Sequence, residues 1–230
     1  MIFSIQAVIF VENFAAILTG KTRVHLVALP NLLSDQHFLQ PEVVESFLAL
    51  QQGAKEAGFN LQPASTFRDF ERQKLIWNMK FNGERKVHDD NGTAIDMSQL
   101  SDFEKCQAML RWSAVPGSSR HHWGTEIDIF DPDLLPENTQ LLLEPWEYLE
   151  GGYFAELTEW LHAHAEQFGF YFPFDGTHSR VGFEPWHISY RPIAAEYEKL
   201  FTDEMLRSAW QDEDVAGKEC LLAHFDELLK

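Results

Sequence analysis

A chain of 230 residues with 45% hydrophobic content carries enough apolar material to fill one sizeable core, which excludes a disordered polypeptide. Eighteen Lys and Arg against 36 Asp and Glu leave a net charge of −18, which repels nucleic acid and anionic membrane surfaces and excludes them as expected partners. Two cysteines, Cys106 and Cys220, are too few and too far apart in sequence for a disulfide framework or a CxxC metal site, so both are expected as buried thiols.

The apolar opening, Met1 to Val11, has no basic residue before it and is cut by Glu12 and Asn13, short of a membrane span and unlike a standard secretory signal. A cytoplasmic location is the expectation, with the periplasm as the alternative. Residues 1–20 suit a short helix or strand stopped by Thr19-Gly20-Lys21. From Pro41, the residues Val43, Phe47, Leu50, Ala54 and Ala57 recur at helical spacing, with Pro41 in the first turn and Gly58 at the C-terminal end. Residues 59–67 read as a strand, and Asp69 caps a helix carrying Phe70, Trp77 and Phe81 to its end near Gly83. Arg68 therefore falls at a strand-to-helix junction.

Residues 82–97, with Asp89-Asp90-Asn91-Gly92, form an exposed, turn-rich loop, and 101–112 are helical. After Pro116-Gly117, Ile127 and Ile129 alternate with Glu126 and Asp128, so that a strand buries the first pair and presents the second to a site. Breaks at proline and Gly151-Gly152 make 131–152 irregular. Phe154, Leu157, Leu161 and Phe168 mark a helix closed by Gly169. Strands are expected over 170–174 and 186–190, with a loop over 176–184 between them. A helix opens at Pro192 towards Trp210, and a last amphipathic helix covers 215–229. With no internal repeat or linker, the expected architecture is one α+β domain over residues 1–230 with helices at both ends.

A catalytic zinc takes three protein ligands of nitrogen or oxygen type and leaves a fourth position for water. The segment Ser118-Ser119-Arg120-His121-His122-Trp123-Gly124-Thr125-Glu126-Ile127-Asp128, with Glu184-Pro185-Trp186-His187 downstream, offers such a set in His121, Asp128 and His187. Spacing does not separate His121 from His122, and a histidine and aspartate at this loop-to-strand spacing are more often structural. Glu184 and His187 equally fit a surface carboxylate and a core imidazole beside Trp186. Both can face one site only if Pro185 distorts the backbone, because residues three apart in a strand face opposite sides. His162, His164, Trp160 and Trp210 are expected as packing residues, and His178 lies in the loop before Glu184.

Three ordered stretches carry a family resemblance: Ser65-Thr66-Phe67-Arg68-Asp69-Phe70-Glu71-Arg72-Gln73, then Ser119-x-His121-x-x-Gly124-x-x-x-Asp128, then Glu184-x-x-His187 within Glu184-Pro185-Trp186-His187-Ile188-Ser189-Tyr190. Over roughly residues 40–195 the chain resembles the LAS zinc peptidases, and within them the VanY-like D-alanyl-D-alanine carboxypeptidases. The resemblance implies a Hedgehog/D,D-peptidase-like fold, a small antiparallel sheet with flanking helices, extended at both ends by segments of unread role. It also implies His121, Asp128 and His187 as ligands of Zn2+, Glu184 as general base and then acid, and Arg68 as the grip on the substrate's terminal carboxylate. Ser119 and Gln73 would add hydrogen bonds to substrate or ligands.

The implied partner is a peptidoglycan-derived peptide ending in D-Ala-D-Ala. Alternatives are an L,D-carboxypeptidase, a D,D-dipeptidase or a muropeptide endopeptidase using the same site, or a non-catalytic zinc-stabilised binding module. Two positions depart from the family pattern: Glu126 stands where a small residue is common, and Thr66 where glycine is. Both are expected to reshape the pocket without touching a ligand or the base.

Overall fold

Local rules account for most of the elements in the computed structural model, which describes residues 14–30, 37–177 and 180–230. The expectation for residues 1–20 lies mostly outside the described residues; 14–18 are helical and end at Thr19, whose hydroxyl donates to the carbonyl of Ala15. β1 (Val27–Ala28) and β2 (Phe38–Leu39) form a small antiparallel ladder. α1 (Pro41–Glu56) has proline in its first turn and buries Val43, Val44, Phe47, Leu50 and Ala54, before Gly58 turns away at φ +97°.

β3 (Gln62–Ser65) is shorter than the expected strand. It is an edge strand, where Pro63 is tolerated, and it ends because the next backbone groups bond elsewhere: the N–H of Phe67 to Phe38 and that of Arg68 to His121. α2 (Phe70–Phe81) starts where Asp69 accepts from the backbone N–H of Arg72 at 2.8 Å. α3 (Asp102–Leu110) opens with a capping box of Ser101 and Glu104. After β4 (Glu126–Phe130), the irregular connection holds only α4 (Pro145–Tyr148).

α5 (Ala155–His164) runs on as a 3₁₀ turn to Phe168 and is closed by Gly169 in the left-handed region. β5 (Phe170–Tyr171) and β6 (His187–Tyr190) are both shorter than expected. The single helix expected from Pro192 is two, α6 (Arg191–Leu200) and α7 (Asp203–Ala209), since Thr202 leaves helical geometry and caps the second through the N–H of Met205. The tail likewise divides into α8 (Lys218–Ala223) and α9 (Phe225–Leu229) at His224, which has φ −114° and ψ 29°.

The main sheet is antiparallel in the order β3-β4-β6-β5. Its period of two separates two faces. Ile127, Ile129 and Ile188 enter a core with Phe47 and Leu50 of α1 and Leu157 and Leu161 of α5. The opposite face carries Ser65, Glu126, Asp128, His187 and Ser189, with Asp128 paired to His187 and Glu126 to Ser189. A second core joins α2 and α3 to the C-terminal helices through Phe70, Trp77, Met109, Trp210, Leu221 and Phe225. The C-terminal segment is fastened there: Trp210 Nε1 donates to Pro116 at 2.7 Å and Trp77 Nε1 to Ala216 at 2.9 Å.

Cys106 is buried, but Cys220 is only half-buried, because Leu221 is the residue of α8 that turns into the core. Among the described residues, no helix is long and apolar enough to cross a membrane.

Candidate metal centre and active site

The polar face of the sheet meets the helical layer along a cleft of about 630 Å³, and the chemical groups converge at its floor. Asp128 and His187 come from paired positions of β4 and β6, with Oδ1 and Nδ1 3.0 Å apart. His121 reaches the same carboxylate from a 3₁₀ turn (Arg120–Trp123), its Nε2 3.3 Å from Asp128 Oδ2. Gly124, at φ +69°, ends that turn and directs the chain into β4; a side chain there would strike Leu26. One donor atom from each of His121, Asp128 and His187 lies within 4.8 Å of the others, an arrangement that could hold a metal ion.

Two imidazoles and a carboxylate suit zinc, and the remaining nitrogens are already engaged. His121 Nδ1 donates to the carbonyl of Thr66 at 2.7 Å, and His187 Nε2 bonds the Glu126 carboxylate at 2.7 Å. At His187 the two neighbouring carboxylates favour positive charge. Burial works against a charged His187, yet Asp128 and Glu126 raise its pKa to about 10; burial likewise opposes a charged Asp128, yet His121 and His187 hold it well below the carboxylate range.

Glu184 sits beside this cluster, its Oε2 3.8 Å from His187 Nδ1. The required distortion at Pro185 is a tight turn in which the N–H of His187 donates to the carbonyl of Glu184 at 3.1 Å, just ahead of β6. Burial pushes the Glu184 carboxyl up to about 7. Arg68 lines the same cleft. Its guanidinium donates to Gln73 Oε1 at 3.0 Å and to Ser65 Oγ at 3.3 Å, and stands 3.9 Å from Asp128.

Among known proteins, a family model described as VanY, D-alanyl-D-alanine carboxypeptidase, matches residues 36–193. The chain belongs to the VanY family. Two relatives from Haemophilus influenzae, both described only as uncharacterised proteins, are 67% identical over 98 residues and 50% identical over 116. These matches span 43% and 50% of this chain and 67% and 88% of the relatives. Among solved structures, VanYB in complex with D-alanine-D-alanine is similar at 22% identity and TM-score 0.50, over 84% of this chain and 92% of that one. The vancomycin-resistance D,D-pentapeptidase VanY in complex with Zn(II) is similar at 25% identity and TM-score 0.50, over 80% and 90%. The LD-carboxypeptidase LdcB shares the fold at 20% identity and TM-score 0.52, over 82% and 79%. The chain is thus a metallopeptidase-family hydrolase of VanY type.

Within this VanY-family site the two adjacent histidines have different places. His122 is fully buried, with Nδ1 donating to the carbonyl of Arg68 at 2.6 Å and Nε2 accepting from Gly117 at 3.0 Å; burial drives its pKa down to about 3. It latches the Arg68 junction to the 3₁₀ turn, and Gly20 packs so closely on its ring that no side chain fits there. Ser119 is buried on the cleft wall, whereas Gln73 stands behind Arg68, with both ends of its amide engaged by Arg68 and Ala114.

The two departures from the family pattern do touch the cluster, contrary to expectation. Thr66 does so through its backbone carbonyl. Glu126 does so directly: it lies on the same face as Asp128, and its side chain crosses diagonally to His187.

His162 and His164 stack on Phe172 and Trp160, at 4.3 and 4.9 Å between ring centres, and Trp210 packs in the second core. His178 lies outside the described residues. The cleft also draws in Lys80, Arg85, Lys86 and Arg180, which the spacing of the motifs does not reveal. Lys80 lies in the last turn of α2 and the other three lie outside helices and strands, so no motif marks them as cleft residues.

Proposed function

We propose that this chain is a zinc-dependent carboxypeptidase that hydrolyses the terminal D-Ala-D-Ala bond of peptidoglycan-type peptides. The observation that carries the reading is the meeting, in one cleft, of the His121, Asp128 and His187 donors with a buried Glu184 and a tethered Arg68. His121, Asp128 and His187 would hold the ion. When bound, zinc supplies a Lewis acid that polarises the scissile carbonyl and acidifies a water molecule.

Arg68 binds the free carboxylate at the peptide's C-terminus, its planar fork matched to both oxygens. Gln73 and Ser65 hold that fork in place. Glu184 takes a proton from the attacking water and delivers it to the nitrogen of the departing alanine as the C–N bond breaks, so that one carboxyl acts as base and then acid. A pKa near neutrality suits both halves of that task.

Lys80, Arg85, Lys86 and Arg180 on the cleft wall give a chain of net charge −18 a local surface for an anionic peptide. Retention of Glu184 beside the donors favours catalysis over a purely structural zinc, which needs no base.

Mass spectrometry of the zinc-loaded chain incubated with D,D-, L,D- and cross-linked muropeptides tests the reading. Loss of one alanine from the pentapeptide is the expected result. Loss from the tetrapeptide alone would move the assignment to an L,D-carboxypeptidase, and opening of cross-links to an endopeptidase.

A further inference from the structure

Glu126 is a fully buried carboxylate on the polar face of β4. Burying such a charge costs several kcal/mol unless partners replace its hydration. Its partners here are complete: His187 Nε2 at 2.7 Å, Ser189 Oγ at 2.7 Å, Thr125 Oγ1 at 2.9 Å and the Arg120 guanidinium at 3.3 Å. Arg120 is fixed in turn, donating to Ser189 Oγ at 3.0 Å and Tyr171 OH at 2.8 Å, with its guanidinium 4.8 Å from the Trp123 ring centre. The network is built from the strand register. Glu126 and Ser189 form the cross-strand pair beside that of Asp128 and His187, so the glutamate reaches the histidine on the diagonal.

We propose that Glu126 is a positioning residue of the metal centre, fixing the tautomer and ring orientation of His187 so that Nδ1 is the nitrogen offered to zinc. The inference rests on the proposed function in taking His187 as a ligand. A neutral imidazole has one N–H and one lone pair. Both ring nitrogens of His187 face carboxylates; with the Nε2 proton held at Glu126, Nδ1, 3.0 Å from Asp128, is the nitrogen that would release its proton and turn a lone pair to the ion. His121 is arranged in the complementary sense: its Nδ1 proton is directed at the carbonyl of Thr66, leaving Nε2 for the cluster.

The two donors therefore differ. A neutral carbonyl supports His121, whereas a carboxylate supports His187 and makes it the more basic ligand. Arg120 and Ser189 keep that carboxylate aimed.

The test is the zinc dissociation constant of the full chain, measured by competition with a chromogenic chelator, for wild type, Glu126→Ala, Glu126→Gln and Ser189→Ala. Glu126→Ala is expected to weaken zinc about 10- to 100-fold, the usual effect of losing an outer partner. Glu126→Gln should fall between, because its amide oxygen still accepts from Nε2 but carries no charge, and Ser189→Ala should show a smaller loss. The visible spectrum of the cobalt-loaded chain should shift in Glu126→Ala, where the ring is free to present either nitrogen.

Zinc affinity within about twofold of wild type in both Glu126 variants overturns the proposal, because an outer partner that leaves affinity unchanged does not position the ligand. If Glu126→Ala does not fold, Glu126→Gln and Ser189→Ala decide. A wild type that binds zinc but cleaves no muropeptide refutes the proposed activity and leaves this inference standing; an active wild type whose Glu126 variants keep full affinity does the reverse.

Discussion

Gln73 accepts from the Arg68 guanidinium at 3.0 Å and donates to the carbonyl of Ala114 at 2.6 Å. One buried amide thereby ties the arginine to the segment that follows α3. With Ser65 on its other side, Arg68 is oriented before any ligand arrives, which reduces the entropy lost on binding.

Arg68→Ala should lower kcat/KM on peptides with a free C-terminus by about 10- to 100-fold, as expected for a charge-assisted hydrogen bond worth ~1.5–3 kcal/mol. The variant should be nearly indifferent to amidation of the same peptides. Equal wild-type kinetics on free and amidated peptides would rule out the role. Gln73→Ala should raise KM more than it lowers kcat, because it loosens the fork without removing it.

Glu184→Ala should keep its zinc, measured by metal analysis after dialysis, and lose about 10²- to 10⁴-fold in kcat. As the proposed base Glu184 would act as a carboxylate, so activity should rise with pH through its pKa. Burial moves that pKa from 4.5 to about 7, and a nearby cation draws it back down. The acidic limb of kcat/KM should therefore lie between these values and vanish in the variant. A normal rate from Glu184→Ala would remove the mechanism.

Lys80 is half-buried, bonded to Ser113 Oγ, and without an ion pair among the described residues. Burial, with Arg85 and Arg68 nearby, lowers its pKa from 10.5 to about 8. Between these values the unfolded chain binds the proton and the folded chain does not, so stability from this group rises with pH across that window. Below about pH 8 the buried charge is destabilising. Lys80→Met should therefore unfold at higher urea than wild type at pH 7, by ~1–3 kcal/mol, with the difference fading by pH 10 to 11. A difference independent of pH would mean that packing, not charge, sets it.

His122→Ala should cost ~2–4 kcal/mol of stability by stranding two backbone groups, yet bind one zinc as wild type does. His121→Ala should lose the metal. Metal content and urea unfolding of the two variants separate latch from ligand.

The long helices and their ends were legible in the chain because their causes are local. Pro41, Asp69 and Gly169 act on their own turns, and the alternation of Ile127 and Ile129 with Glu126 and Asp128 is a property of any strand. The order of three motifs likewise pointed to the family. Short strands and divided helices were not legible, since β3 ends where Phe67 and Arg68 find partners outside the sheet and α6 ends where Thr202 prefers to cap.

What the sequence determined by itself is the set of donors and the elements that carry them. Spacing left the two adjacent histidines open and the order of motifs implied His121; only the tertiary structure supplies the physical cause, because Thr66, Arg68 and Gly117 lie around that turn. It also turned Glu126 from a pocket-shaping residue into a partner of His187. That contact exists only once β4 and β6 are in register, with Arg120, far from β6 in sequence, offsetting the buried charge.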